Sequence, residues 1–273
     1  MALSVNTNVS SLTAQRNLSA SNNRLNASLE RLSTGMKINK AADSSSGIVI
    51  SETQRAQING LDQAVANIDR GVNLIQTADS ALGEVNSLLL NIRQLVVDSA
   101  NSGAHTSDDL AANKTEIDNL VSTIDDINSR TKFGALTVFS TNASTFQVGA
   151  FSGESEAVTI GKTDSTTLSI TSLQVDTAAN SKTALDAVDA AIATVTAKRG
   201  ELGAFQKNTL QSAQSNVRSQ LQNLQETESS LRDTDYNTEI TKFTQEQIRS
   251  QAASTVLGLA NQSAQSILSL LRG

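Results

Sequence analysis

The chain has 273 residues and a net charge of −6, with no proline, cysteine or tryptophan, six phenylalanines and one tyrosine. The acidic balance argues against a nucleic-acid binder, which shows a basic face, and a cysteine-free chain has no disulfide or thiolate chemistry. Few aromatics are available to fill a compact centre and no proline stops a helix, so burial is expected from Leu, Ile, Val and Ala along extended helical seams.

The opening "MALSVNTNVSSLTAQR" lacks the positive and apolar regions of a cleaved secretory signal, so any export is expected by another route. A first helix is predicted from about Val5 to Thr34. Leu18, Leu25 and Leu32 repeat at seven, Leu29 and Met36 extend that face, and Gly35 supplies a stop. "KINKAADSSSG" then reads as a polar connector in which Ser44 to Ser46 can cap the next helix.

That second helix spans roughly Ile48 to Ala100, about 80 Å at ~1.5 Å per residue. Leu61, Ile68, Ile75, Leu82, Leu89 and Val96 fall at every seventh position. Val65 and Val72 begin a second column that Asp79 and Asn86 interrupt. One reading is drift: a straight helix rotates ~20° per heptad, and Val85 and Ile92 take the column over. The other is that the polar residues meet partners and set register. Both presuppose a long multi-helix bundle.

"NSGAHTSDD" is a turn, and Ser107 or Asp108 can cap a third helix in which Leu110, Ile117 and Ile124 repeat at seven. The second and third helices therefore form a hairpin packed lengthwise. From about residue 132 to 176 the chain becomes rich in Thr, Ser, Val and Phe with intermittent Gly, as in "STFQVGA", which reads as short strands and turns. Helix resumes near Ser181, with Leu185, Val188, Ile192 and Val195, and then Leu221, Leu224 and Leu231.

The last stretch, "QAASTVLGLANQSAQSILSLL", carries no charge between Arg249 and Arg272, yet is too rich in Gln, Asn, Ser and Thr for a membrane span. Residues 1–15 are uncharged and similarly composed. Helices that touch several neighbours around their girth have this character. Both termini are expected to be interface elements, paired with each other and marginal until assembly.

Catalytic signals are weak. His105 is the only histidine, lies in a turn, and has no evident nucleophile beside it. Asp125–Asp126 and Glu226/Glu228 are too close along a helix to converge on a site and read as solvated. One histidine and no cysteine leave no zinc spacing. No cofactor is expected. The Asn-x-Ser/Thr triplets at Asn8, Asn17, Asn26, Asn113, Asn142 and Asn261 are expected by chance in so Asn- and Ser-rich a chain.

Several long segments carry a family resemblance. "SVNTNVSSLTAQRNL" (residues 4–18) resembles the opening of bacterial flagellin, and "RLSTGMKINKAADSSSGIVISE" (31–52) its spoke segment. "LQETESSLRDTDYNTEITKFTQEQI" (224–248) and "ANQSAQSILSLL" (260–271) resemble its C-terminal helix. With the helix around Arg93–Ser102, the similarity covers about the first 140 and last 90 residues. It implies a mainly α fold: a long antiparallel coiled-coil bundle with a small mid-chain β-hairpin region and paired terminal helices. Residues 1–40 and 241–273 would be the halves of an inner core domain. Residues 41–240 would be a rod-like domain with the hairpin at about 132–176.

The function implied is that of a structural subunit, not an enzyme, which polymerises with itself into the flagellar filament. The terminal helices would supply subunit contacts through Val5, Val9, Leu12, Leu18, Leu25, Leu32, Val256, Leu257, Ile267, Leu268 and Leu271. The resemblance further implies an extracellular location, type III export without a cleaved signal peptide, a chaperone on the C-terminal segment, and filament cap and hook-associated partners. Toll-like receptor 5 grips many flagellins at positions matching Asn91, Leu95 and Glu116. Asn91 replaces an arginine there, and loss of that cation weakens such a contact by about 2 kcal/mol. Ala264 stands where the family often has proline. A hook–filament junction protein would have similar ends, but "NTNVSSLTAQRNL" favours flagellin proper. A non-flagellar coiled-coil scaffold would keep charged flanks throughout, and these ends do not.

Overall fold

The structure is a computed structural model that describes residues 8–101 and 103–272, with side chains described up to residue 262. Helix α1 (Val9–Thr34) is followed by α2 (Ser45–Ser99) and α3 (Ser107–Arg130). Four short strands come next: β1 (Lys132–Phe133), β2 (Leu136–Thr137), β3 (Ser144–Gln147) and β4 (Ser155–Val158). Helix α4 (Ala178–Ala204) runs through a π-helical turn at Phe205–Leu210 into α5 (Gln211–Arg232), and α6 (Tyr236–Arg272) ends the chain. Two compact units result: residues Gln57–Asn223, and residues Met1–Ala56 with Leu224–Gly273.

The larger unit is built on the heptad columns of α2. Leu61, Ile68, Ile75, Leu82, Leu89 and Val96 are all at most 3% exposed, as are Ala64, Ala78, Val85 and Ile92 of the companion column. Each fully buried aliphatic side chain of this kind stabilises by ~1.5–3 kcal/mol. Ile117 and Ile124 of α3, and Val188, Ala191 and Val195 of α4, complete the core. Helix α3 starts at a reciprocal capping box, in which Thr106 Oγ1 accepts from the Asp109 backbone and Asp109 accepts from the Thr106 backbone. Asn113 joins α3 to the end of α2 by donating to Asp98 and Ser99, each at 3.0 Å.

Helix α4 runs antiparallel to α2. Arg93 pairs with Asp189 at 2.7 Å, and Arg199 reaches Asp79 through Nε at 2.7 Å and a terminal nitrogen at 3.3 Å. Asp79 thus meets a cation across the seam, as the register reading expects. Val85 and Ile92 nevertheless inherit the apolar column, as the drift reading expects. Asn86 keeps its amide oxygen buried with no hydrogen-bond partner among the described residues.

The β-like region holds two small antiparallel pairs. β1 and β2 turn through Gly134 at φ +62°, and β3 and β4 pair Ser144 with Val158 through to Gln147 with Ser155. Its hairpin sits on α2 where α2 has glycine. A Cβ on Gly60 would lie 3.0 Å from the Ala150 methyl, and one on Gly71 would lie 3.2 Å from the Phe146 ring. Beyond Val158 the chain folds as turns around buried Ile160, Leu168, Ile170, Leu173 and Val175. Asp125 is not simply solvated, as its neighbours in sequence suggested. It accepts from the Ser165 backbone at 2.7 Å and hydroxyl at 2.8 Å, anchoring these turns to α3, while Asn128 accepts from the Thr163 backbone. Glu228, in the other unit, likewise accepts from Ser51 at 3.2 Å.

Candidate assembly interface

In the smaller unit α1 ends at Gly35, whose φ of +72° places it in the left-handed region while its N–H bonds to the Arg31 carbonyl. The chain then runs beside the start of α6: Lys37 donates to the Arg232 carbonyl and Thr234 to the Gly35 carbonyl. Tyr236 donates its hydroxyl to the Leu32 carbonyl at 3.0 Å. From there α1 and α6 pair antiparallel, with contacts that step regularly along both helices.

The centre of that pairing is polar. Ala14, Ser21 and Ser28, spaced by seven, are the buried residues of α1. Ser28 donates to Glu239 at 2.6 Å and Ser21 to Glu246 at 3.1 Å, and both glutamates are buried. Arg24 lies 3.1 Å and Arg249 2.8 Å from Glu246, while Arg31 and Lys242 flank Glu239 at 3.8 and 3.5 Å. Burial pushes the Glu246 carboxyl up, but the hydrogen bonds from Arg24 and Ser21 and the charges of Arg24 and Arg249 hold it below its usual value. Further along, Ser250 donates to Asn22, Asn8 caps α1 and donates to the Ala260 carbonyl, and Ser11 donates to Asn261.

The apolar residues expected at the interface lie around this seam rather than in it. Leu18, Leu25, Leu32 and Leu257 are half-buried, whereas Val9, Leu12 and Val256 are 63%, 49% and 53% exposed. Val5 lies outside the described residues, and so do the side chains of Ile267, Leu268 and Leu271. The sequence reading missed Ser21, Ser28, Glu239 and Glu246. The available signal was the seven-residue spacing of Ala14, Ser21 and Ser28, matched by that of Glu239 and Glu246.

Asn91 is exposed and Leu95 half-buried one turn apart on α2, and Glu116 is exposed on α3. No hydrogen bond or ion pair joins these three among the described residues. His105 lies 3.4 Å from Asp98. Among the described residues no cluster of three metal-ligating side chains occurs, and no helix is long and apolar enough to cross a membrane.

A heptad bundle whose paired end helices keep large aliphatics uncovered has the build of a self-associating structural subunit. The bacterial flagellin N-terminal helical region matches residues 5–144, and the bacterial flagellin C-terminal helical region matches residues 185–271. Flagellin of Halalkalibacterium halodurans is 38% identical, over 98% of this chain and 99% of that one. The flagellar filament 33 kDa core protein of Treponema phagedenis is 35% identical and flagellin of Bacillus subtilis 34%, with the same coverage. Bacillus cereus flagellin has a similar fold, with a TM-score of 0.50 and 24% identity over 56% of this chain and 88% of its own. The chain belongs to the bacterial flagellin family. It is a structural subunit that self-polymerises into the flagellar filament, and not an enzyme.

Proposed function

We propose that the outward faces of α1 and α6 are the contacts by which one subunit holds the next. Val9, Leu12, Leu18, Leu25, Leu32, Val256 and Leu257 carry them, and the family resemblance gives Val5, Ile267, Leu268 and Leu271 the same role. The observation that supports this is the exposure of Val9, Leu12 and Val256 on helices whose mutual seam is already filled by Ser21, Ser28 and two glutamates. Apolar side chains left over after the chain has paired with itself gain by meeting another copy. On this reading residues 1–40 with 241–273 act as an inner core, and 41–240, with its hairpin region at 132–176, as the rod-like domain.

The same reading makes the filament extracellular and the export route independent of a cleaved signal peptide. An export chaperone grips the uncharged C-terminal segment, and cap and hook-associated proteins guide addition. Recognition by Toll-like receptor 5 through Leu95 and Glu116 is weakened by Asn91. The experiment is to compare Leu12→Glu and Val256→Glu with the parent by circular dichroism and by negative-stain microscopy after seeding. Retained helix content in the larger unit with loss of long filaments is the expected result. Normal filaments from both variants would overturn the assignment.

A further inference from the structure

The helix formed by α4, the π turn and α5 presents one buried column with a fault in it. Ser181, Val188, Val195 and Leu202 recur every seven residues and are at most 2% exposed. The next members are Leu210, fully buried, and Val217, 5% exposed. Both segments repeat at seven, but the step from Leu202 to Leu210 is eight. A regular α-helix turns about 100° per residue, so it cannot carry this surplus residue and keep both segments on one line. Continued at seven, the column after Leu202 would read Thr209, Asn216 and Asn223 within this unit. The last two of these are exposed in the structure.

The π turn lies in that eight-residue step, at Phe205–Leu210. A π turn holds an extra residue that an α-helix cannot. Leu210, at the end of the π turn, packs where α2 has Gly71, since a Cβ there would lie 3.3 Å from Leu210 Cδ1.

We infer that the π turn at Phe205–Leu210 is a register joint, which takes up one surplus residue so that α4 and α5 share a single seam on α2. The joint has two states that differ sharply in what they bury. With the π turn, Leu210 and Val217 face α2. With a straight α-helix, α5 turns by about 100° and offers Thr209 and Asn216 instead. The joint is therefore the point at which α5 is released from α2, while α4 upstream keeps Val188 and Val195 in place. This inference rests on the larger unit alone and is independent of the assembly reading.

Single-residue deletions test it. Deleting Lys207 or Asn208, both exposed, shortens the step to seven and makes the column continuous through a plain α-helix. Deleting Thr194, exposed in mid-α4, creates a new fault. Thermal melting by circular dichroism is expected to place at least one of the first two variants at or above the parent and the Thr194 deletion well below it. Backbone amides of residues 205–210 are expected to exchange hydrogen faster than those of 192–202 in the parent, and at least tenfold more slowly once Lys207 or Asn208 is removed. Melting of both joint deletions below the parent, or of the Thr194 deletion level with them, would overturn the inference. So would parent exchange at 205–210 as slow as in α4.

Discussion

Ser28 donates its hydroxyl to Glu239 at 2.6 Å across 211 positions of sequence, and both side chains are buried. Removing one partner of such a pair leaves a desolvated group unsatisfied, at a cost of ~1–3 kcal/mol. Ser28→Ala is therefore expected to lower the temperature at which α1 and α6 separate in assembled protein. Replacing both partners, as Ser28→Ala with Glu239→Met, should recover part of that loss, because the buried carboxylate goes with the hydroxyl while Arg31 and Lys242, already partly exposed, turn to solvent. Calorimetry of filaments reads both, and a double variant no better than the single one would show that the pair is worth more than its desolvation.

Acid should loosen the same seam. The Glu246 carboxyl sits below its usual value of 4.5 in the folded chain, so its stabilisation is complete above 4.5 and is lost as pH falls through the lower folded value. Filament dissociation followed by light scattering should become steeper with acid in that window for the parent. Glu246→Gln should weaken the seam at neutral pH and flatten the acid limb.

The Asp79–Arg199 bridge should contribute little to stability. Both side chains are about 40% exposed, and ion pairs of that exposure contribute ~0.2–1 kcal/mol. A double-mutant cycle with Asp79→Ala and Arg199→Ala should give a coupling in that range which shrinks when salt is raised from low to molar concentration. Coupling indifferent to salt would point to packing of the arginine stem instead.

Two glycines of α2 should respond to alanine in different ways. A Cβ on Gly83 would have nothing within 4 Å of it, so Gly83→Ala should gain ~0.5–1 kcal/mol from helix propensity alone. At Gly71 the same methyl meets the Phe146 ring at 3.2 Å and Leu210 at 3.3 Å, and overpacking of this kind costs ~1–3 kcal/mol. Chemical denaturation should therefore rank Gly83→Ala above the parent and Gly71→Ala below Gly83→Ala by more than about 1 kcal/mol.

Much of the fold was legible because its core follows from local periodicity. The column from Leu61 to Val96 is buried along its whole length, and Gly35 ends α1 in the left-handed conformation that its position in the sequence implied. The change from helix to strand near residue 132 was equally visible in composition. The eight-residue step from Leu202 to Leu210 stood in the same record, but a skip is noticed only when both flanking columns are known to face one seam.

The rest depended on partners far away in the chain. Leu18, Leu25 and Leu32 form the more hydrophobic line on α1, yet α6 arrives over Ala14, Ser21 and Ser28. Periodicity reports that a helix has a preferred face, and it cannot say which face a distant helix will choose when small hydroxyls complement two glutamates. Asp79 shows the same division: its interruption of the column was plain, whereas the guanidinium that receives it lies 120 positions away. Helices, their lengths and family membership could be read from the residues in order, since these rest on neighbours within a few turns. The serine–glutamate seam, the seating of the hairpin on Gly60 and Gly71, and the π turn came only with the folded chain. Each of these is a match between two surfaces that are far apart in sequence and brought together by folding.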